Sequence, residues 1–499
     1  MLVGAGPGDL GLITTAGAQW LARADVVLYD RLANNRLLDA CRDDAERIYV
    51  GKQPDAHAMS QQQINDLLVA RCRDGDLVVR LKGGDPLIFG RGGEEADALA
   101  DAGLAFRIVP GVTAAIAAGA YAGIPLTDRR LAATVAFVTG HEDPAKNAST
   151  IDYDALAGID TVVFYMGVGN LPAIAERLLA AGRDGETPVA IVQHATRPNQ
   201  RTVVATLATA AAEADRHGIR PPAVVIVSPT VALRQRLAWI EKLPLWGQTV
   251  LVTRTRRQAS RLAERLAELG ARVILCPTIE IRPPEDTADA DAALRRLGEF
   301  DWLVLTSPNG VTALVDRLRA AGRDGRVLAG VRIAAIGPAT ADALRRHFIE
   351  PDLVPPEATT ESLGRALIDA AGPDGLGHVL LARADIATGA LPEALRGAAA
   401  RVEEVATYRT TRPASLPDEA DEALRQGRAD WITFTSSSTV ENFLALAEAT
   451  GLSLGTVKPA SIGPVTSKTL RAHGLEPAIE ASVYTIDGLV DAIASRAQN

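Results

Sequence analysis

Short β-branched runs punctuate the whole chain, and stretches rich in Ala, Leu and Arg with helical spacing lie between them. "DLVVRL", "TVAFVTG", "TVVFYMG", "PVAIVQ" and "AVVIVS" occupy the first half; "TVLVTR", "WLVLTS", "RIAAIG", "HVLLAR" and "WITFTS" the second. Each run leads into a turn carrying glycine, serine or arginine and then into a helical pattern. That alternation predicts an α/β fold with largely parallel strands. Ligands are expected at the carboxyl ends of those strands.

One break interrupts the pattern. "EKLPLWGQ" (241–248) sets Pro244 and Gly247 between the helical "VALRQRLAWIEK" and the fresh run "TVLVTR". It reads as a linker over 244–248, with one domain over 1–243 and another over 249–499. The second half also repeats itself. "DWLVLTSPNGVTALV" from Asp301 matches "DWITFTSSSTVENFL" from Asp430, and "IAAIGPATADALRRH" from Ile333 matches "PASIGPVTSKTLRAH" from Pro459. The Thr and Ser residues that end these runs are candidate helix caps. They are equally candidates to line a ligand cleft between two lobes.

Composition narrows the function classes. At 499 residues the chain holds two to four domains, and 47% hydrophobic with 23% charged residues is globular, not disordered. A net charge of −9 does not point to nucleic acid, while leaving room for a local basic pocket. Cys41, Cys72 and Cys276 are unpaired in spacing and the histidines form no ligand pairs. No disulfide framework or metal site is therefore expected, and a reducing cytoplasm is. No run is long enough to span a membrane and no signal sequence opens the chain. The first strand starts so early that one or two of its residues are expected to be missing.

The opening "LVGAGPGDLGLITTAGAQWLARADVVLYDRL" outlines a dinucleotide-binding unit. However, Pro7 removes an amide, the third glycine of the fingerprint is absent, and Asp9 sets a carboxylate where phosphates would lie. A nicotinamide enzyme thus fits poorly, and a ligand with a cationic or neutral part fits better. "VRLKGGDPLIFGRGGEE" (79–95) carries the densest chemistry, with Gly83 and Gly84 allowing close backbone approach.

Taken in order, "VGAGPGD", "LYDRL", "VGK", "VRLKGGDPLIFGRGGEE", "VPGVTAAIAAGAYAGIPLTDR", "FVTGHE" and "FYMGV" resemble the tetrapyrrole methylases, closely the uroporphyrinogen-III C-methyltransferases, from residue 2 to about 240. The resemblance implies two α/β subdomains, about 1–111 and 112–243, with S-adenosylmethionine between them. It implies two methylations of uroporphyrinogen III, giving precorrin-2, and a homodimer formed through this half. Carried over by motif, the cofactor residues are Pro7, Gly83, Gly84, Asp85, Ile88, Thr113, Ala114, Met166 and Ala195, the last standing where the family commonly has glycine. Asp30 matches the proton acceptor and Lys52 the proton donor. Arg91 is a candidate for substrate carboxylates, as are His57 and Arg129.

"VLVTR", "TSPNGV", "AIGPATADAL", "YRTTRP", "FTSSSTVENF", "SIGPVTSKTL" and "YTIDGLV" resemble uroporphyrinogen-III synthase from about 249 to 499. That resemblance implies two flavodoxin-like lobes, the first from about 249–281 plus 412–499 and the second from about 282–411. It also implies cyclisation of hydroxymethylbilane without metal or cofactor. Tyr408 matches a tyrosine that assists loss of the hydroxyl, and Thr340, Ser436, Ser437 and Thr466 match cleft hydroxyls. Arg254, Arg256, Arg257 and Arg261 crowd a helix start, where cations oppose the macrodipole and so suggest an anionic ligand; Arg383 and Arg409 follow further on. Two alternatives stay open: methylation of a different tetrapyrrole carbon, and a non-catalytic anion-binding module in the second half. No domain precedes Met1, so no dehydrogenase or metal-inserting activity is expected.

Overall fold

The computed structural model describes residues 1–51, 59–141, 150–254, 256–371, 375–385 and 389–498, without the side chains of 256–260. Lys52 and His57 therefore lie outside the described residues, as do the side chains of Arg256 and Arg257. The chain divides into two compact units. One is Met1–Gln248 with Leu266–Arg272 and Ala497–Asn499; the other is Thr249–Arg265 with Val273–Arg496.

The first unit holds two sheets. β1 (Leu2–Gly4), β2 (Val26–Tyr29), β3 (Glu46–Tyr49), β4 (Val78–Lys82) and β5 (Ile108–Val109) stand in the order β3-β2-β4-β1-β5. All neighbours are parallel. Every carboxyl end therefore falls on one edge, which gathers Gly4–Asp9, Asp30, Gly83–Asp85 and Pro110–Thr113. β4 is buried along its full length, as a strand covered on both faces should be, although two of its residues are Arg80 and Lys82.

β6 (Val135–Thr139), β7 (Thr161–Tyr165), β8 (Pro188–Gln193), β9 (Arg201–Thr206) and β10 (Ala223–Val227) form a mixed sheet in the order β6-β7-β10-β8-β9. Here β6 and β7 are parallel, and β10 runs against both β7 and β8. The helix Ala114–Ala122 lays Ala115, Ala118 and Ala122 on Val163, Val192 and Val224 of this sheet. Its small residues let the helix approach closely.

The second unit holds β11 (Thr249–Val252), β12 (Arg272–Leu275), β13 (Glu280–Arg282), β14 (Trp302–Leu305), β15 (Arg332–Ala335), β16 (His378–Ala384), β17 (Arg401–Thr411), β18 (Trp431–Phe434), β19 (Lys458–Ser461) and β20 (Ile479–Glu480). One sheet has the order β12-β11-β18-β19-β20. Numbered within the lobe this is 2-1-3-4-5, the flavodoxin-like winding, whose order reverses between β11 and β18. The other sheet, β13-β17-β16-β14-β15, repeats the winding as 2-1-3-4, reversing between β14 and β16. β13 is added antiparallel at its edge. Glu280–Arg282 thus crosses the expected lobe boundary at 281/282 and pairs with the second lobe.

Each lobe has its own core. Leu303, Leu305, Leu314 and Leu380 centre one. Phe434 and Phe443, with ring centroids 5.7 Å apart, centre the other. Truncating any of these to alanine would cost about 2–5 kcal/mol.

Candidate active sites

In the first unit, three glycine-bearing loops interlock at the carboxyl edge of the parallel sheet. Gly6 and Gly84 exchange backbone bonds, 3.2 and 2.7 Å. Asp85 closes the arrangement: Oδ1 accepts from the Leu87 amide (2.8 Å) and Oδ2 from the Gly111 amide (2.9 Å). Side chains are excluded at the crossing. A Cβ on Gly111 would lie 2.2 Å from the Gly84 oxygen, and one on Gly83 would lie 2.5 Å from Leu32 Cβ. Asp9, read from sequence as a carboxylate facing the ligand, is engaged within the chain instead. Oδ1 accepts from the Gly11 amide (2.8 Å) and Oδ2 from the Tyr121 hydroxyl (2.5 Å); the short helical turn at Leu10–Leu12 needs that cap.

The expected cofactor residues surround these loops. Pro7 lies in the first. Thr113 stands at the N-cap position of the helix that opens at Ala114; its hydroxyl lies 2.6 Å from the Tyr165 hydroxyl, and that hydroxyl accepts from the Ala115 amide (3.0 Å). Burial, above all, pushes the Tyr165 phenol up. The Tyr165 ring packs on Phe89, with centroids 4.9 Å apart. Met166 follows at φ 53°, and Ile88, Phe89 and Met166 are all exposed. Ala195 lies between His194 and Thr196, both at positive φ. An apolar surface beside glycine-bearing loops suits a sulfonium nucleoside better than a pyrophosphate.

Asp30 ends β2. Its Oδ1 accepts from the Leu32 amide and its Oδ2 from Arg80 Nη2, both at 3.0 Å. The partner is Arg80 of the neighbouring strand, not the adjacent Arg31. Arg80 in turn donates from Nε to Glu95 Oε1 (3.1 Å), and Lys82 Nζ donates to the same oxygen (2.7 Å). Glu95 is fully buried, and among the described residues its Oε2 has no partner. Burial first, then the Arg80 charge, hold the Lys82 ammonium below its ordinary value, while Glu95 and Asp30 oppose the shift. Sequence reasoning missed Arg80, Lys82 and Glu95 as a set. The available signal was two cations inside a continuous strand run, because such charges are buried only when paired.

Arg91, at φ 58°, makes a two-point pair with Glu94 (2.8 and 2.7 Å). Both side chains are exposed, so the pair is open to exchange for an anionic ligand. Arg129 is exposed beside the Asp128–Arg130 pair.

In the second unit, the carboxyl ends at both reversal points carry serine caps. Ser307 accepts from the Gly310 amide (3.0 Å), and Ser436, its counterpart in the repeat, from the Thr439 amide (3.3 Å). Tyr408 reaches the first of these: its hydroxyl is 2.8 Å from Ser307 Oγ. Burial raises the Tyr408 phenol, Ser307 opposes the shift, and the Asp385 charge adds to it. Ser307 was not singled out from sequence, although the repeat aligns it with Ser436. Arg254 sits where β11 ends, half-buried, and burial alone lowers its guanidinium. Among the described residues it has no acidic partner, which leaves it available to an anion.

The hydroxyl set is not uniform. Ser437 accepts from Thr469 (2.7 Å). Thr340 and Thr466, expected as cleft hydroxyls, are only 1% and 3% exposed and lie in the first turns of their helices. Arg383 is held by Glu404 (2.9 Å), Arg409 by Glu285 and Arg261 by Asp487 (2.6 Å). A cavity of about 1460 Å³ borders Tyr408 together with Ile281, Arg282, Asn309, Arg317 and Pro413. Arg254, Thr340, Ser436, Ser437 and Thr466 do not line it. Tyr408, on β17, borders this cavity and also meets Ser307 at the carboxyl end of β14.

Comparison with known proteins covers both units. The family described as "Tetrapyrrole (Corrin/Porphyrin) Methylases" matches residues 1–211, and "Uroporphyrinogen-III synthase HemD" matches 260–491. The "Porphyrin biosynthesis protein HemD" of Ruminiclostridium josui is 36% identical over 490 residues, 98% of this chain and 96% of that protein. The "Uroporphyrinogen-III C-methyltransferase" of Bacillus subtilis strain 168 is 40% identical over 355 residues, 70% and 73% of the two chains. The "Siroheme synthase" of Thiobacillus denitrificans is 50% identical over 239 residues, 48% of this chain and 50% of that one. Those matches, the doubly wound lobes and the interlocked glycine loops agree: the chain belongs to the fused enzymes that carry an S-adenosylmethionine-dependent tetrapyrrole methyltransferase and a uroporphyrinogen-III synthase in one polypeptide.

Proposed function

We propose that the second unit cyclises hydroxymethylbilane to uroporphyrinogen III with inversion of the last ring, and that the first unit methylates that product at two ring carbons to give precorrin-2. The observation that carries the reading is Asp30. It is a carboxylate fixed at two points, by Arg80 and the Leu32 amide, at the carboxyl edge shared with the glycine loops. S-adenosylmethionine supplies the methyl group. Pro7, Gly83, Gly84, Asp85, Ile88, Thr113, Ala114, Met166 and Ala195 hold it, and the crossing that a Cβ would fill supports this assignment. Asp30 takes the ring proton. Lys52, assigned by resemblance, returns one. Arg91 leaves Glu94 for a substrate carboxylate.

For cyclisation the chain positions a linear substrate and lets water leave. The Tyr408 hydroxyl, oriented by Ser307, assists that departure, and Arg254 with Ser436 and Ser437 binds acidic side groups; Thr340 and Thr466 shape the loops. The three cysteines are unpaired, which suits a reducing cytoplasm, and the methyltransferase half is the proposed site of homodimer formation. No helix among the described residues is long and apolar enough to cross a membrane. The resemblance to a sirohaem-forming enzyme over half of each chain supports sirohaem as one destination, with cobalamin as another.

The test supplies hydroxymethylbilane with and without S-adenosylmethionine. Uroporphyrinogen III, then a dimethylated product, is expected; uroporphyrinogen I alone would end the synthase reading. Asp30→Ala should cut methylation by roughly 10²–10⁴-fold and leave ring closure intact.

A further inference from the structure

Beside Asp30 lies a concentration of positive charge that the reaction as described does not use. Arg197 follows the turn after β8, is half-buried, and donates from Nη2 to the Leu32 carbonyl (3.3 Å). It thereby links the second sheet's turn to the loop that carries Asp30. Gly8 makes room for it: a Cβ there would lie 2.9 Å from both Cγ and Nε of Arg197. Arg31 adds a second charge, and His194 adds a ring nitrogen, not a further cation. Burial comes first in lowering Arg197, with Arg31 adding to it. Burial, Arg197 and Arg31 together hold His194 below its ordinary value. Among the described residues, the buried His194 Nδ1 has no partner.

No acid answers these cations. Among the described residues neither Arg31 nor Arg197 has a carboxylate within ion-pair distance. The nearby acids are engaged elsewhere, Asp30 with Arg80 and Asp9 with Tyr121. Arg31 is exposed, but Arg197 beside it is partly buried, and a like charge next to a partly desolvated guanidinium is costly. A built seat for Arg197, with a glycine kept small and a carbonyl fixing the guanidinium, is the arrangement of a site completed by an anion.

We propose that Arg31, His194 and Arg197 form a carboxylate-binding subsite that anchors an acidic side group of the ligand beside Asp30. This rests on the reading of the first unit as a methyltransferase of a polycarboxylate macrocycle. Two carboxylates have the right chemistry, an acid side chain of the macrocycle and the amino-acid end of the methyl donor. The arginine fork suits either.

Equilibrium titrations of the full chain separate the sources. The probes are uroporphyrin III, with eight carboxylates; S-adenosylhomocysteine, with one; and methylthioadenosine, with none. Arg197→Gln and Arg31→Gln are each expected to weaken one carboxylate-bearing probe on the order of tenfold. Methylthioadenosine binding should stay unchanged, and Arg197→Lys should restore part of the loss. Loss confined to uroporphyrin III assigns the subsite to the macrocycle, and loss confined to S-adenosylhomocysteine assigns it to the donor. Unchanged affinity for both, or an equal loss for methylthioadenosine, overturns the subsite. Failure of the wild-type chain to form a dimethylated product would instead overturn the assigned reaction and leave these affinities interpretable.

Discussion

Replacing Glu95 with glutamine probes the charge network beneath Asp30. The side chain is fully buried, and one of its oxygens serves both Arg80 and Lys82, whose side chains are 4% and 5% exposed. Removing one partner of a buried ion pair costs about 3–5 kcal/mol. Arg80 keeps Asp30 at 3.0 Å, so the loss falls mainly on Lys82, and the lower figure, about 3 kcal/mol, is expected. For a unit of this size that lowers Tm by roughly 6–12 °C, read by calorimetry on the transition of the first unit.

The deficit should depend on pH, with a definite sign. Lys82 already titrates below the ordinary lysine value of 10.5 because it is buried, and Glu95 pulls it back up. Glu95→Gln deepens the depression. A native lysine that binds fewer protons than its unfolded counterpart gains stability as pH rises toward the unfolded value. The deficit should therefore be full near neutrality and shrink on the way to pH ~10. Adding Lys82→Met to Glu95→Gln should recover stability at neutral pH. A deficit under about 1 kcal/mol, the size of an exposed pair, or one identical at both pH values, would refute a network held by buried charge.

Tyr408→Phe should slow cyclisation while methylation of supplied uroporphyrinogen III continues unchanged. Ser307→Ala should act in the same direction on cyclisation kinetics and also cost about 1 kcal/mol in the unfolding transition of the second unit, through the lost cap on the Gly310 amide. Gly111→Ala, whose Cβ would lie 2.2 Å from the Gly84 oxygen, should separate the glycine loops; calorimetric titration should then find S-adenosylhomocysteine binding lost, and retained affinity would count against the crossing as a binding element.

What the sequence disclosed and what it hid follow from the range of the interactions. The glycine loops and the duplicated Thr-Ser and Ile-Gly-Pro-x-Thr pieces are local signals, and the backbone at those positions is set by neighbours in the chain. Partners are not local. Asp30 lies beside Arg31 in sequence, yet parallel register brings Arg80 to it from 50 residues away. Asp9 looked like a charge offered to a ligand, but Tyr121, 112 residues on, takes it. Thr340 and Thr466 share a motif with exposed positions, and only packing reveals that the first helical turn buries them. Ser307 was recoverable, since the repeat sets it against Ser436; the tyrosine that meets it arrives on a strand 101 residues later.

The insertion of one flavodoxin-like lobe inside the other has a bearing on synthesis. β11 pairs with β18, and Thr249 meets Asp430 across 181 residues, so the ribosome makes β11 and β12 long before the strand that completes their sheet. The inserted lobe is finished first and can fold as a unit during that wait. Once folded, its antiparallel β13 and β17 hold Glu280 beside Thr411, which brings the two severed halves of the outer lobe side by side. A closure that would otherwise carry the entropy of a very long loop then needs only two short tethers to meet. The inserted lobe in effect acts as an internal template for assembly of the lobe around it, and a nascent chain stalled before β18 would leave β11 with an open edge.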